Sequence, residues 1–215
     1  MAFLRKETAI HALVLAAGRS RRMGDFKPLL PLRGRTLIEN SVGSALSGGA
    51  ETVTVVTGCR ADEVERVLAR AFGERVRFVR NDAYAETDML RSAQLGAAAL
   101  PACGAFFLLP GDMPVVSPET FAKLRAAYAR EPAPLVFPTL DGRRKHPPLI
   151  DARLIPAILA FDGEGGLREL WRRYEGELRT VPVDDAGVRI DVDTPRDYET
   201  CMQTCEVQGK EKKEV

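Results

Sequence analysis

The sequence contains few histidines and almost no net charge. Its 215 residues include only His11 and His146, so neither a three-histidine zinc site nor a His-Glu-x-x-His helix can form. The 31 lysines and arginines nearly balance the 30 aspartates and glutamates, which leaves a formal net charge of +1. Proteins that bind nucleic acid through its phosphates normally need a clear basic excess. The composition therefore disfavours a nucleic-acid partner and a polybasic membrane anchor.

Cysteine is also scarce, and its spacing does not suggest disulfides. The four cysteines form no Cys-x-x-Cys pair: they are Cys59, Cys103, Cys201 and Cys205. This scatter is typical of free thiols in a reducing compartment, and a two-thiol metal site at Cys201 and Cys205 is the alternative. The first residues contain no apolar export signal, so we expect a cytoplasmic protein.

One uncharged stretch, residues 92–111, has the length of a transmembrane helix. Pro101 and Gly104 divide it into an alanine-rich helical segment and a short apolar segment with the length of a strand. We therefore expect it to belong to a soluble domain and predict no membrane partner.

Short apolar runs alternate with longer amphipathic segments over the first two thirds of the chain. The runs predict strands at 10–17, 52–57, 76–80, 105–109 and 135–138, and the amphipathic segments predict helices at 36–47, 61–72, 89–100 and 117–130. This alternation is typical of βαβ units. It predicts an α/β fold with a mostly parallel central sheet and helices on both faces.

The pattern changes after residue 138. Asp141 and Gly142 predict a hairpin turn, and the segments that follow predict helices at 151–160 and 166–174, strands at 178–183 and 188–192, and a last helix from 195 to about 203. We expect this part to be a small hairpin and helix elaboration. With no repeat or linker in view, residues 1–205 are predicted to form one domain and residues 206–215 a disordered tail.

The loop after the first predicted strand combines small residues with cations. Its sequence over residues 16–28 is AAGRSRRMGDFKP, in which the small residues allow a ligand to approach the backbone and Arg22 and Lys27 can bind a polyphosphate. Ligands of open parallel sheets bind beyond the carboxyl ends of the strands. The glycine spacing matches neither the GxGxxG fingerprint nor the P-loop. A solvated basic loop is the alternative.

Two acidic motifs are expected at the same edge of the sheet. Asp112 follows the predicted strand at 105–109, where a carboxylate suits Mg²⁺ although it could equally be a turn former. Asp191 and Asp193 alternate along an extended segment, so both point to one side and offer a second carboxylate; capping of the last helix is the alternative for Asp193. Together with the basic loop, these motifs predict a nucleoside triphosphate site with a metal ion.

These motifs resemble those of the molybdenum cofactor nucleotidyltransferases, part of the wider NTP-transferase family. The run from Leu15 to Pro31 is similar to the family's signature loop, Gly111-Asp112-Met113-Pro114 to its metal-binding turn, and residues 191–197 to its closing motif. His146-Pro147 resembles a His-Pro step between them. The resemblance implies a Rossmann-like nucleotidyltransferase fold. The Ala16-Ala17-Gly18 form is similar to the cytidylyltransferase branch, which implies transfer of CMP from CTP to molybdopterin.

The resemblance also implies roles for individual residues. Arg22, Lys27 and Asp112 would be catalytic, and Asp112 with Asp193 would bind Mg²⁺; Asp193 is preferred to Asp191 because the Asp-Thr-Pro step is what relatives share. The nucleotide would contact Leu15, Ala16, Ala17, Gly18, Arg19, Ser20, Lys27, Thr57, Asn81, Ser92, Pro110 and Gly111. Apart from the resemblance, the basic stretch over residues 143–146 could hold an anionic acceptor through Arg144, Lys145 and His146, and an exposed hairpin with solvated charges is the alternative. A molybdoenzyme or cofactor-insertion protein would be a transient partner.

Four positions depart from the family pattern: Arg91, Gln94, Lys145 and Glu164. They fall in the parts expected to meet the base and the acceptor, so the identity of both substrates stays open. The alternatives are a guanylyl- or sugar-phosphate nucleotidyltransferase and a non-catalytic nucleotide-binding module.

Overall fold

The computed structural model describes residues 9–211, with side chains through Cys205. Within that range the chain forms ten strands and seven α-helices. The strands are β1 Ile10–Ala16, β2 Pro31–Leu32, β3 Arg35–Thr36, β4 Val53–Thr57, β5 Val76–Arg80, β6 Ala105–Pro110, β7 Leu135–Leu140, β8 Arg143–Arg144, β9 Leu149–Asp151 and β10 Arg179–Pro182. The helices are α1 Leu37–Ser47, α2 Ala61–Phe72, α3 Met89–Ala98, α4 Pro118–Arg130, α5 Ile155–Ala160, α6 Gly166–Arg172 and α7 Pro195–Glu211.

The central sheet confirms the predicted mostly parallel α/β architecture. Its strand order is β10-β7-β9-β6-β1-β4-β5, with β8 paired to the end of β7. Neighbours β5, β4, β1 and β6 are parallel, as are β7 and β10. After β5 the chain returns across the sheet to place β6 on the other side of β1. Because the strand order reverses at β1, a crevice opens beyond the carboxyl ends of β1 and β6.

Helices cover both faces of the sheet, which explains the uninterrupted apolar run of β1. Ala12 and Val14 contribute to a core shared with α1, α2 and α4, whereas Leu13 contributes to a second core shared with α3, α5 and α6. Strand residues that alternate between two cores are all buried, so polar residues do not interrupt the strand.

The contact of α3 with β1 needs glycine at position 96. An ideal Cβ there would lie 2.2 Å from Leu13 Cδ1 and 2.8 Å from Val56 Cγ2. The close approach fixes the start of α3 at the crevice, where the Asp88 side chain accepts a hydrogen bond from Arg91 N and caps the helix.

The structure differs from the sequence prediction most clearly at β9. Residues 149–151 form the strand between β6 and β7, antiparallel to both, where no strand was predicted. The predicted helix from 151 begins only at Ile155, after a 3₁₀ turn over Ala152–Leu154. A three-residue strand is too short to leave a periodic signal, and its neighbours in the sheet stabilise it.

Two predictions near the C-terminus also need correction. The strand predicted at 188–192 is instead a 3₁₀ turn over Ala186–Arg189 followed by extended residues outside the sheet, because Asp185 accepts a hydrogen bond from Gly187 N and closes a turn. The last helix continues to Glu211, so residues 206–211 of the predicted disordered tail have helical backbone; their glutamate, glutamine and lysine residues are good helix formers. Residues 212–215 lie outside the described part.

No helix within residues 9–211 is long and apolar enough to cross a bilayer. Residues 92–111 form most of α3, a connection and β6, in agreement with the division at Pro101 and Gly104. The thiols of Cys201 and Cys205 are buried against the loop that follows β1. Burial raises the pKa of Cys201 to about 12, so the thiol is protonated at neutral pH.

Candidate active site

A cavity of about 850 Å³ occupies the crevice at the carboxyl ends of β1 and β6. The loop after β1, the start of α3 and the turn after β6 form much of its wall, and residues 144–146 and 188–193 complete it. This volume is typical of a site for a nucleotide-sized ligand.

The loop after β1 is folded so that Lys27 points into this cavity. Ser20 has the left-handed conformation (φ 56°), and its Oγ accepts a hydrogen bond from Lys27 N at 3.1 Å. The Ser20 carbonyl accepts from Met23 N, and the Met23 side chain is buried in the cluster beneath the loop. These bonds fix the Lys27 backbone. They also leave the proton of the Ser20 hydroxyl available to a ligand.

Lys27 joins the two predicted metal carboxylates. Its Nζ donates to Asp112 Oδ2 and to Asp193 Oδ1, both at 2.8 Å, and Arg22 Nη2 lies 2.8 Å from Asp193 Oδ2. The Lys27 side chain is only 14% exposed. Burial favours the neutral amine, but the two carboxylates outweigh burial and raise the pKa of Lys27 above its usual value. Lys27 therefore carries a positive charge at neutral pH.

Asp193 reaches this position because Val192 docks onto the turn after β6. Val192 is fully buried, and its N–H donates to the Asp112 carbonyl at 2.9 Å. The start of α7 is capped by other residues: Asp197 accepts from Thr194 N at 2.7 Å, and Thr194 Oγ1 accepts from Asp197 N. The Asp193 carboxylate is thus not used as a helix cap and projects to Lys27. Asp191 lines the same cavity.

The donor set fits a hard divalent cation that also takes ligands from a substrate. Two carboxylates converge on one ammonium group, and Asp112 Oδ1 is not engaged by Lys27. Mg²⁺ commonly binds one or two protein carboxylates together with phosphate oxygens and waters. Within residues 9–211 no group of three or more histidine, cysteine, aspartate or glutamate side chains could hold a metal by itself. Substrate oxygens would have to complete the coordination.

Gly111 and Gly18 both line the cavity, but they differ in how much space surrounds them. A Cβ at Gly111 would lie 3.0 Å from the Leu15 carbonyl oxygen and 3.0 Å from Ile38 Cδ1, so packing against β1 and α1 requires a small residue there. A Cβ at Gly18 would meet no atom within 4 Å. Gly18 lines the cavity, so the space beside it is open.

The structure brings most of the predicted site residues together. Arg22, Lys27, Asp112 and Asp193 line the cavity, as do the predicted acceptor residues Arg144, Lys145 and His146. The predicted nucleotide-binding residues that line it are Leu15, Ala16, Ala17, Gly18, Arg19, Ser20, Lys27, Ser92, Pro110 and Gly111.

Thr57 and Asn81 were also predicted to bind the nucleotide, but the structure places them behind the cavity wall. Thr57 is fully buried and its hydroxyl donates to Glu65 Oε1 at 2.8 Å. Asn81 is 2% exposed, and its amide donates to Thr87 Oγ1 and Ser92 Oγ. Asn81 therefore supports two residues of the wall without reaching the cavity.

The predicted site residues included Ser92 of α3 but not four wall residues that lie before it and at the start of that helix. Tyr84, Thr87, Asp88 and Met89 line the cavity, and the Arg19 guanidinium lies 5.5 Å from the centre of the Tyr84 ring. Their type and spacing give no signal. The one clue was topological, since the loop after β5 must lie at the same edge of the sheet as the loop after β1.

A second cavity of about 1270 Å³ adjoins the first and shares with it Leu15, Asp88, Met89, Pro110, Arg144 and His146. Its wall combines the rings of Phe137 and Trp171 with cations: Arg143, Arg144, Arg168 and Arg172. Of these, Arg144 pairs with Glu175 and Arg172 with Glu169. The cavity therefore places positive charge beside the Lys27 site, whereas the two rings are largely buried and expose only a small part of their surface.

His146 separates the two cavities. Burial lowers the pKa of His146, and one ring nitrogen bonds to the Leu108 backbone. Its Nδ1 is buried with no hydrogen-bond partner among the described residues. At neutral pH the imidazole is therefore neutral and leaves one nitrogen unused at the junction of the cavities.

Three of the four departures from the family pattern lie outside both cavity walls. Gln94 donates to the carbonyls of Ile158 and Phe161, at 3.1 and 2.7 Å, and ties α3 to the end of α5. Arg91 and Glu164 line neither cavity, whereas Lys145 lines the first. Of the four, only Lys145 is placed to meet a ligand directly.

Comparison with known proteins identifies the family of this chain. Residues 12–178 match the family model described as MobA-like NTP transferase domain. The chain is 33% identical to nicotine blue oxidoreductase of Paenarthrobacter nicotinovorans, over 86% of this chain and 92% of that protein. It is 27% identical to the molybdenum cofactor cytidylyltransferase of Escherichia coli K12, over 91% and 97%. It also superposes on a nucleotidyl transferase from Methanothermobacter, with a TM-score of 0.79 and 30% identity over 93% and 99% of the two chains. With the cavity, its basic loop and its paired carboxylates on a mostly parallel sheet, the chain belongs to the MobA-like NTP transferase domain family of nucleotidyltransferases.

Proposed function

We propose that this protein transfers CMP from CTP to the phosphate of molybdopterin, releases pyrophosphate and requires Mg²⁺. The observation that carries the proposal is the convergence of Lys27, Asp112 and Asp193 in a cavity of nucleotide size. The choice of CTP and molybdopterin rests on the Ala16-Ala17-Gly18 loop and on the 27% identity to a molybdenum cofactor cytidylyltransferase over nearly its whole length.

The loop after β1 binds the nucleotide. Ala17 and Gly18 let the base and ribose approach the backbone, and the Arg19–Tyr84 pair borders the cavity on the side of α3. Arg22, whose side chain is 71% exposed, can turn from Asp193 to the phosphates. Lys27 reaches the same phosphates from the base of the cavity. These cations neutralise the charge that a triphosphate brings.

The reaction is an in-line displacement at the α-phosphorus. An acceptor phosphate oxygen forms the new bond to phosphorus, and the bond to the bridging oxygen of the leaving pyrophosphate breaks. Such a step depends on positioning and on charge neutralisation. Lys27 and Arg22 stabilise the charge that develops on the leaving group. A divalent ion held by Asp112 and Asp193 would supply Lewis-acid stabilisation of the phosphates.

The second cavity is suited to the acceptor. Phe137 and Trp171 border this cavity with the small part of their side chains that is exposed, and Arg144 and Lys145 lie where an acceptor phosphate would enter the nucleotide cavity. Because the two cavities share Arg144 and His146, an acceptor bound in the second can present its phosphate to a nucleotide bound in the first.

Gly18→Val tests whether the open space at this position belongs to the nucleotide. We expect CTP affinity to fall at least about tenfold, which is about 1.4 kcal/mol, because the new side chain fills space that the fold leaves empty. The free energy of unfolding is expected to change by less than about 0.5 kcal/mol. The control is Gly176→Val, because Gly176 is exposed, equally open and outside the cavity. Unchanged CTP affinity in Gly18→Val would exclude this position from the nucleotide site.

A thermal-shift panel of CTP, GTP, ATP and UTP, with and without Mg²⁺, tests the choice of nucleotide. A ligand at 100 times its Kd stabilises the folded protein by about 2.7 kcal/mol, which is readily measured. We expect a Mg²⁺-dependent shift with CTP and smaller shifts with the others. A shift with GTP alone would overturn the base assignment. Pyrophosphate release that requires both CTP and molybdopterin would then separate an enzyme from a nucleotide-binding module.

The same panel should include NADPH. The relative with 33% identity is named an oxidoreductase, so a redox reaction at this site is the second candidate. Stabilisation by NADPH together with no shift for any triphosphate would favour that candidate over nucleotidyl transfer.

A further inference from the structure

We propose that Lys27 is a counterion of the two metal-binding carboxylates and stays paired with them until a nucleotide binds. The metal alone therefore binds poorly, and metal and nucleotide bind together. This inference rests on the proposed function, because it concerns the same carboxylates. It adds to that function a coupling, through Lys27, between the binding of metal and the binding of nucleotide.

The first support is the local charge balance. Asp112 and Asp193 carry two negative charges, and Lys27 and Arg22 are in direct contact with them. These two cations offset the charges of Asp112 and Asp193, although Asp191 also lines the cavity. A divalent cation approaching the free protein would therefore gain little attraction and would be repelled by the ammonium that lies between its ligands.

The second support is the burial of Lys27. Its side chain is 14% exposed, and each carboxylate is 26% exposed. Charges that are partly removed from water are screened less than surface charges. The three-way contact is therefore stronger than an ordinary surface ion pair, which contributes about 1 kcal/mol or less.

The third support is that the side chain can move while its backbone stays. Lys27 N is held by Ser20 Oγ, and the residue begins a short 3₁₀ helix over Lys27–Leu29. The four-carbon stem of lysine lets its ammonium turn within a fixed backbone frame. When triphosphate oxygens enter the cavity, Lys27 can exchange the carboxylates for phosphate. The exchange leaves carboxylate oxygens free at the moment when phosphate oxygens arrive beside them.

The consequence is a reciprocal coupling. If nucleotide binding releases the carboxylates and thereby raises metal affinity, metal binding must raise nucleotide affinity by the same factor. Metal without nucleotide would rarely occupy the site.

Binding of Mn²⁺ alone, followed by electron paramagnetic resonance without any nucleotide, tests the proposal. We expect the wild-type protein to bind Mn²⁺ weakly, with a Kd on the order of 1 mM, because its carboxylates are already neutralised. Lys27→Met should bind Mn²⁺ at least about tenfold more tightly, because two carboxylates then lack their shared counterion. Lys27→Arg keeps the charge and should stay weak.

Two further variants show whether the gain comes from this contact. Lys145→Met removes another cation of the same cavity that makes no ion pair with Asp112 or Asp193 among the described contacts, and its Mn²⁺ affinity should stay within about threefold of wild type. Adding Asp112→Asn to Lys27→Met should abolish the gain. Thermal unfolding with and without MnCl₂ provides a second readout: the metal should stabilise Lys27→Met and leave the wild-type midpoint unchanged.

Two results would overturn the proposal. One is wild-type binding of Mn²⁺ alone in the low micromolar range, which can be measured even if Lys27→Met does not fold. The other is a folded Lys27→Met whose Mn²⁺ affinity equals that of wild type or of Lys145→Met. If the protein does not transfer CMP from CTP, the proposed function fails but these Mn²⁺ measurements can still be interpreted. If transfer occurs but wild type and Lys27→Met bind Mn²⁺ equally well, only the coupling is rejected.

Discussion

Asp112→Asn is expected to reduce the rate of nucleotidyl transfer about 10²–10³-fold, by analogy with the loss of one preorganised electrostatic contact. The amide keeps the shape of the side chain and can still accept from Lys27 Nζ, which donates to Asp112 Oδ2 at 2.8 Å in the native protein. The Asp112 carbonyl, which accepts from Val192 N, is unaffected. Only the negative charge is lost, so the effect should be on kcat while the fold persists.

Asp191→Asn is the matched control. Asp191 lines the same cavity, but the ion pairs with Lys27 and Arg22 are made by Asp193. We expect its turnover to stay within about threefold of wild type, since a charge without a specific contact is screened. Turnover of Asp112→Asn near the wild-type rate would remove Asp112 from the metal role. Equal losses in both variants would show that the cavity needs negative charge in general and not this pair.

Asp185→Ala is expected to lower the free energy of unfolding by about 2–4 kcal/mol, because it leaves buried donors without an acceptor. Asp185 is 7% exposed. Its Oδ2 accepts from Ser117 N at 2.9 Å and from Thr120 Oγ1 at 2.7 Å, and its Oδ1 accepts from Gly187 N at 2.9 Å. The carboxylate thus joins the start of α4 to the segment that leads to Asp193.

The same variant should also weaken transfer. A Cβ at Gly187 would lie 2.0 Å from the Val115 carbonyl oxygen, so this segment packs directly on backbone and depends on the turn that Asp185 closes. When that turn loosens, Asp193 is no longer held against Lys27. A misplacement of about 1 Å can cost on the order of 10²-fold in rate.

Urea unfolding monitored by circular dichroism measures the stability change, and Asp184→Ala is its control. Asp184 is adjacent in sequence but exposed, so its replacement should change the free energy of unfolding by less than about 0.5 kcal/mol. A loss below 1 kcal/mol in Asp185→Ala would mean that another group or water takes over as acceptor. The proposed link between this carboxylate and the position of Asp193 would then fail.

The predicted site residues that the structure brings together are those whose position follows from local rules. The apolar run before Ala16 predicts a buried strand, and a parallel sheet places the loops after its strands at one edge. Lys27 and Asp112, 85 residues apart, could therefore be assigned to one crevice before their contact was seen. The alternation of Asp191 and Asp193 along an extended segment likewise indicated that both side chains point to one side.

Other parts depend on contacts that have no local pattern. Met89 begins α3, which packs closely against β1 at Gly96, and Tyr84 packs against Gly58, where a Cβ would lie 2.7 Å from Tyr84 Cβ; both residues line the cavity. Thr57 and Asn81 were predicted to face the nucleotide, but their hydrogen bonds to Glu65, Thr87 and Ser92 hold them behind the wall. Strand β9 exists because β6 and β7 lie on either side of it. In each case the decisive partner is distant in sequence.

The sequence by itself determined the α/β class, the edge of the sheet that holds the site, and the chemistry of its principal side chains. Hydrophobic periodicity and the order of motifs are local properties of the chain, so they can be read without a structure. Only the tertiary structure decided that Asp193 contacts Lys27 while Thr194 and Asp197 cap α7. It alone showed that Lys27 lies between both carboxylates, and that a second cavity with aromatic and basic walls adjoins the first. The physical reason is that such contacts depend on packing and buried hydrogen bonds between segments far apart in the chain. They therefore cannot be predicted from residue type and spacing.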